Sequence, residues 1–499
     1  MKESKDVFVS KEGNVFPGKT YAERLLHPVF EDQRDYLYRE MFAIHRAHMI
    51  MLAEERIIEQ GDAKRILKGI CEVEQEDFSS LAYDPQYEDL FFLIEDRIQK
   101  AIGDEIAGNM HIARSRNDMG VAMYRMVLRR HITELIRHAI MLGESLLEQA
   151  EEHKNTIVTA YTHTQPAQPT ALGHYFLAIY DVLYRDLQRL WAVYKTVNQS
   201  PLGAAALSTT GFAINRHRVA ELLGFDGLVE NSYDAIAGAD YLLETAAAIA
   251  MLMTNSGRWI QDFLMMATKE FGGIVVADPY VQISSIMPQK RNPVSIEHSR
   301  ALASSSYAEA LAVFHMIHNT PFGDIVDTED DLQPHLYRSF EKAQRVICLM
   351  NAVVRTMKID KEKLEQRASR NAITITELAD VLTRDKGIPL RRAHKLASVI
   401  AKECIKEKKE LYELSVCEVN ALLQITSLSE DEWNAIVSPQ VFVERRRVLG
   451  GPNVREVERM LEQRYAGLQA CEEKLTSSKD KMSEAETMLN ELIQQLLQS

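Results

Sequence analysis

Three separated polar segments of this 499-residue chain carry side chains suited to proton transfer beside a bound anion. The first is HIARSRND (His111–Asp118), which crowds Arg114, Ser115, Arg116, Asn117 and Asp118 ahead of a long apolar-periodic stretch. An Asn or Asp there reads as a helix N-cap. Two arginines at a helix start read equally as a carboxylate site, because the first N–H groups of a helix are unpaired and its dipole favours negative charge. The second segment, YTHTQPAQPT (Tyr161–Thr170), sets His163 among Thr162, Thr164, Gln165 and Gln168. A lone histidine is more often structural, but these hydroxyl and amide neighbours make a proton-transfer role worth weighing. The third, SSIMPQKRNPVSIEHSR (Ser284–Arg300), places Ser284 and Ser285 ahead of Lys290, Arg291 and Asn292. Pro293 is expected as the first residue of a helix capped by Asn292. A serine hydroxyl, two cations and a helix N-terminus on one segment would stabilise an anion, a serine alkoxide included. A plain surface loop before a helix is the alternative.

The rest of the chain reads as helices that would hold these segments. Gly 22 and Pro 14 are few, so turns are few. REMFAIHRAHMIMLAEERII is one amphipathic stretch near the start. Between Val121 and Ala267 three Pro-free runs far exceed the usual helix of about 11–12 residues, which fits an elongated bundle. Three breaks interrupt the helical pattern, at Ser200–Phe212, Phe271–Pro293 and His318–Pro334. Long polar loops in such a chain are candidates for function. Leu461, Leu468, Leu475, Met482, Leu489 and Leu496 recur every seven residues. That row predicts a terminal helix packed on the body or paired with its own copy.

Composition narrows the class. The net charge of −14 disfavours a nucleic-acid partner, whose phosphates call for a basic face. The five cysteines (Cys71, Cys348, Cys404, Cys417, Cys471) form no C-x-x-C pair, so neither a zinc site nor a disulfide framework is expected. His45, His48 and His111 make no recognisable metal-ligand set with carboxylates. MKESKDVFVSKEGN has no apolar core and does not read as a signal peptide. The longest uncharged apolar run, Ala246–Met253, is far short of the roughly 20 residues of a membrane span. The expectation is a reduced cytoplasmic protein with no membrane partner.

The pattern S-S-x-M-P-x-K-x-N-P at Ser284–Pro293 resembles the signature loop of the fumarase/aspartase superfamily. HIARSRND, YTHTQPAQPT, FVERRRVLGG (Phe442–Gly451), HRAHMIMLAEERII and ITITELADVLTRDKGIPLRRAH resemble, in order, segments of the argininosuccinate lyase family, over roughly residues 16–465. The resemblance implies an all-α, three-domain fold with a central long-helix bundle. Four subunits would form a 20-helix core, with active sites shared between subunits. The domains would be 1–118, 119–367 and 368–465, with an extra heptad-patterned helix at 466–499. It also implies elimination across a Cα–Cβ bond with release of fumarate, and no cofactor or metal. Ser284 would be the base that takes the Cβ proton, giving an aci-carboxylate held by Lys290 and Asn292. His163, paired with Glu297, would supply a proton to the departing amine. Ser115, Asn117, Thr162 and Gln165 would bind the succinyl portion, with Arg114, Arg116, Ser285 and Met287 beside them.

The chain departs from that family pattern at several places. Ile283 stands where the family usually has Gly before the two serines. The stretch that contacts the arginine portion in argininosuccinate lyases carries Tyr, Gln and Lys. Here GDIVDTEDDL puts Asp324, Glu329 and Leu332 at those positions. An EDIH segment becomes EDLF, ending at Phe91, and the early S-I-x-x-D segment is not recognisable in HPVFEDQRDYL. The fumarate half thus reads as retained and the leaving-group half as rewritten. Losing a Lys and gaining two carboxylates disfavours an α-carboxylate there and favours extra ammonium charge. The expected activity is a carbon–nitrogen lyase acting on an N-substituted L-aspartate, an aminopolycarboxylate such as ethylenediamine disuccinate. The alternatives are an argininosuccinate lyase, an inactive crystallin-like homologue, and a helical scaffold, for which the serine loop would have no purpose.

Overall fold

A computed structural model describes residues 5–498. The architecture is predominantly helical, and helix lengths follow from where chain breakers are absent. Three helices frame the N-terminal part: α1 (Tyr38–Glu54), α2 (Gln60–Glu74) and α3 (Leu90–Ile102). α4 (Arg116–Glu152) runs 37 residues without proline. Ser115 caps it: its Oγ accepts from Asn117 N at 3.3 Å, and Asp118 Oδ1 accepts from Ser115 N at 3.1 Å. The cap is therefore Ser115 in a reciprocal pair with Asp118, not Asn117.

A two-stranded antiparallel hairpin, β1 (Ile157–Thr162) and β2 (Gln165–Ala171), joins α4 to α5 (Leu172–Val197). Gly173 opens the way for that corner, since a Cβ there would collide with the Ala150 carbonyl and the Lys154 backbone. α6 (Asp240–Met266) completes this part of the bundle. Two short strands, β3 (Gln282–Ile283) and β4 (Arg291–Asn292), pair antiparallel and close the loop 284–290. α7 (Val294–Ile317) and α8 (Gln333–Thr356) return along the bundle. Asn292 belongs to β4 and does not cap α7. The residue before the helix is Pro293, with no side-chain cap bond. Strand pairing with Gln282 commits the Asn292 backbone to a ladder and overrides its capping preference.

One hydrophobic core runs through the N-terminal helices and the bundle, and includes Phe42, Leu128, Phe176, Leu252 and Phe340. A second core, around Leu378, Leu382, Ile400 and Trp433, gathers α9 (Ile375–Arg384), α10 (Leu390–Glu407) and their short neighbours. A seven-residue helix, α11 (Pro439–Arg445), follows, and the chain ends in α12 (Val454–Gln498). α12 is one continuous 45-residue helix, so no break occurs at the expected 465/466 boundary. Leu461, Leu468, Leu475 and Leu489 of the heptad row are buried, Met482 and Leu496 half-buried. The row packs on the body of its own chain: Leu468 against Gly143 of α4, Met482 against Gly224. All five cysteines are free. Among the described residues no helix is long and apolar enough to cross a membrane, and no group of three or more His, Cys, Asp or Glu could hold a metal.

Candidate active site

The candidate residues fall into two groups at opposite ends of the bundle. One end holds Ser115, Arg116 and Asn117 at the start of α4, together with the 318–332 segment that follows α7. The Ser115 hydroxyl donates to Asn117 Oδ1 at 2.6 Å, and Asn117 Nδ2 donates to the Asp324 carboxylate. The capping bonds fix Ser115, and Ser115 in turn orients the Asn117 amide. Arg116 Nη1 donates to Asp89 Oδ2 at 2.9 Å, while its guanidinium lies 4.7 Å from the Phe92 ring centre. Asp118 is wholly buried beneath them. Its Oδ2 accepts from Gly203 N at 2.9 Å and Ala205 N at 3.0 Å, which ties the polar 200–212 loop to the start of α4. Burial outweighs those bonds and pushes the Asp118 carboxyl up to about 6.

Two residues expected to bind substrate at this end, Arg114 and Leu332, have buried side chains. The Arg114 side chain is 1% exposed, and its guanidinium donates to His45 Nδ1 at 2.9 Å. Burial pushes Arg114 down to about 10 and holds His45 neutral. Leu332 is wholly buried, because an apolar side chain just ahead of α8 turns into the core. Asp324 and Glu329 line a cleft of about 290 Å³ together with Asn117, Arg116 and Phe91. Glu329 is pushed up to about 8 by burial first and then by the adjacent Asp324 carboxylate. Asp330 is pushed up to about 6, chiefly by burial.

The other end holds the hairpin and the signature loop. Thr162 and Gln165 pair across the hairpin tip, and His163 and Thr164 form its two-residue turn. Both turn residues have positive φ, 53° and 63°. Such turns are usually Asn-Gly, so holding a histidine and a β-branched threonine there stores backbone strain of the kind found at functional sites. The tip is exposed, so the imidazole stands out from the chain. In the signature loop, Ser284 Oγ accepts from Met287 N at 3.1 Å and Ile286 N at 3.4 Å. Two backbone donors on one hydroxyl oxygen favour its anionic form. Arg291 is drawn to Asp278 at 2.5 Å and to the Val276 carbonyl at 3.0 Å, which pins the base of the loop. Met287, Lys290, Asn292 and Glu297 line an open groove of about 800 Å³. Ser285 and Ile283 are exposed. Among the described residues, no hydrogen bond or ion pair joins His163 to Glu297, or this end to Asn117.

Asp330, Asp89 and Tyr124 were not singled out from the sequence, and Asp118 was read there only as a helix cap. The polar break at Ser200–Phe212 was the one signal pointing toward what Asp118 holds.

Comparison with known proteins places the chain. A family model described as lyase matches residues 32–305, and one described as argininosuccinate lyase C-terminal matches residues 372–444. The argininosuccinate lyase 2 of Agrobacterium fabrum is 41% identical over 443 residues, 88% of each chain. An argininosuccinate lyase of Methanocaldococcus jannaschii is 37% identical over 446 residues, covering 89% of this chain and 91% of its own. Among solved structures, EDDS lyase in complex with formate superposes with a TM-score of 0.84 at 30% identity, over 95% of this chain and 93% of that one. Class II fumarase from Schistosoma mansoni, at 17% identity over 83% of this chain and 91% of its own, shares the fold with a TM-score of 0.67. With the signature loop formed around Ser284 and the matches spanning nearly nine-tenths of the sequence, the chain belongs to the argininosuccinate lyase family of the fumarase/aspartase superfamily and is a carbon–nitrogen lyase.

Proposed function

We propose that the protein eliminates an amine from an N-substituted L-aspartate other than argininosuccinate and releases fumarate. An aminopolycarboxylate such as ethylenediamine disuccinate is the substrate to test. The observation that carries the reaction is the pair of backbone N–H groups on the Ser284 oxygen. They solvate an alkoxide that takes the Cβ proton. The charge then spreads into the neighbouring carboxylate as an aci-carboxylate, for which Lys290 and Asn292 are the preorganised partners. His163, with Glu297, returns a proton to the departing nitrogen. Asn117, Ser115, Thr162 and Gln165 hold the succinyl carboxylates.

The substrate half rests on Asp324 and Glu329, which place carboxylates where an argininosuccinate lyase would meet an arginine α-carboxylate. A carboxylate set against carboxylates is repelled, and an ammonium is attracted. The likeness to EDDS lyase supports this reading. The 41% identity to an argininosuccinate lyase favours the second reading, argininosuccinate cleavage. Fumarate release, followed by ultraviolet absorbance with each compound, decides between them. The proposal expects turnover of the aminopolycarboxylate and little of argininosuccinate; the reverse order overturns the substrate half. The active unit is a homotetramer whose sites combine loops of different subunits.

A further inference from the structure

The cleft beside Asn117 combines an acidic rim with an apolar floor. Asp324, Glu329 and Asp330 form the rim, and Leu37, Met41 and Met123 lie below. Tyr124 of α4 is 5% exposed and lies on the cleft wall, and its hydroxyl makes no hydrogen bond among the described residues. Asp330 and Glu329 are the charges that act most on it. That hydroxyl opens on the cleft with its donor and acceptor capacity unused by the protein, so it can bond a ligand there.

We propose that this cleft, on the lyase reading above, receives the leaving amine as an ammonium on a short unbranched alkyl chain. The nitrogen sits between Asp324, Glu329 and Tyr124, and the methylenes lie on the apolar floor. An ammonium has three donors on a compact head and suits acceptors arriving from different elements; a guanidinium is planar and forked. The acceptors here come from the 324–330 segment and from α4. Arg116, a cation that acts on Glu329, is already held by Asp89, so nothing comparable is offered to an α-carboxylate.

Capture of the cation is coupled to a proton. In the empty cleft at neutral pH, Glu329 keeps its proton beside Asp324. When an ammonium enters, the Glu329 carboxyl ionises, its proton passes to the buffer, and the ammonium keeps its own. The other charged and titratable groups on this cleft are Asp330 and Asp331 beside the pair, Glu88 and Asp89 ahead of α3, Tyr21, and Arg116 and Tyr124 on α4, with Tyr241 of α6 behind it.

Isothermal titration calorimetry of the full-length protein at pH 7, in buffers of different ionisation enthalpy, tests this with putrescine, L-arginine and fumarate as separate titrants. Putrescine should bind with about one proton released per site. L-arginine should bind at least tenfold more weakly. Glu329→Gln should abolish the proton release and weaken putrescine at least tenfold, and Tyr124→Phe should weaken it while leaving the release intact. Fumarate binding should be unchanged in both variants. Equal binding of putrescine and arginine, or proton release that persists in Glu329→Gln, overturns the proposal. A wild-type protein that couples putrescine to proton release yet liberates no fumarate from any N-substituted aspartate sinks the reaction reading alone. Fumarate release without that coupling sinks the ammonium cleft alone.

Discussion

A serine hydroxyl gives up its proton near neutrality only where its oxygen is solvated better than water would solvate it. The Ile286 and Met287 N–H groups on Ser284 are such a solvation shell, already in place before substrate arrives. Replacing Ser284 with Ala removes the proposed base but little packing, since the loop is at the surface. Fumarate release should fall by about 10²–10⁴-fold or more, as for loss of a positioned acid–base group, with the thermal unfolding midpoint unchanged. Equal turnover by the variant would remove Ser284 from the chemistry. The position of this serine was legible in the sequence because its loop is a fixed spacing of chemically distinct residues. Orientation was not. Arg114 occupies a family position, yet its guanidinium is buried on His45, and Leu332 is enclosed ahead of α8. Tyr124 sits in the apolar run MYRMVL, which by spacing alone reads as core. Only tertiary packing turns its hydroxyl toward Glu329 and Asp330.

Elements place those residues through a few interactions that can be cut one at a time. α7 and α8 are clamped by Glu309, which meets His335 Nδ1 at 2.6 Å and Lys342 Nζ at 2.7 Å, with Arg338 at 3.4 Å. Burial opposes ionisation of Glu309, but the Lys342 and His335 bonds and the Arg338 charge outweigh it and hold the carboxyl down at about 2. Because the folded value lies below the unfolded 4.5, the clamp contributes fully above pH 4.5. Its contribution is lost as pH falls through the folded value. The gap in unfolding midpoint between the wild type and Glu309→Gln should therefore be constant above about pH 5 and should narrow on acidification. A gap that widens in acid would contradict this. The terminal helix offers a packing test. Leu489 is 2% exposed, so Leu489→Ala should cost about 2–5 kcal/mol of stability in denaturant unfolding, whereas exposed Glu491→Ala should cost little. Period made this helix readable, and it also concealed the helix's start. Val457, buried in the first turn, lies four residues ahead of Leu461 and off the seven-residue row, so that row alone did not mark residues 454–498 as one rod. The hairpin at 157–171 was hidden for a different reason. Its two prolines read as loop, and its pairing depends on a turn whose residues, His163 and Thr164, are not turn formers.

At the scale of the molecule, the bundle keeps the two groups of candidate residues apart. α4 has 37 residues, so at 1.5 Å per residue it is about 55 Å long, with Asn117 at its start and the His163 hairpin just past its end. α7 has 24 residues and separates the signature loop from Asp324 by about 36 Å along its axis. Local bonds cannot close such a gap within one chain, but antiparallel packing of two bundles would set the Asn117 end of one against the Ser284 end of another. This arrangement makes a quantitative prediction for mixed assemblies. Asn117→Ala and Ser284→Ala should each be inactive alone, because every site then lacks one group. When the two are co-expressed in equal amounts and assemble at random, a site is intact if its Asn117 comes from the serine variant and its Ser284 from the asparagine variant. About one quarter of sites meet that condition, so about one quarter of wild-type fumarate release should return. Were each site built within one chain, every site would carry one lesion and the mixture would stay inactive. The double variant co-expressed with wild type sharpens the comparison. Composite sites again leave about one quarter active, whereas single-chain sites would leave about one half.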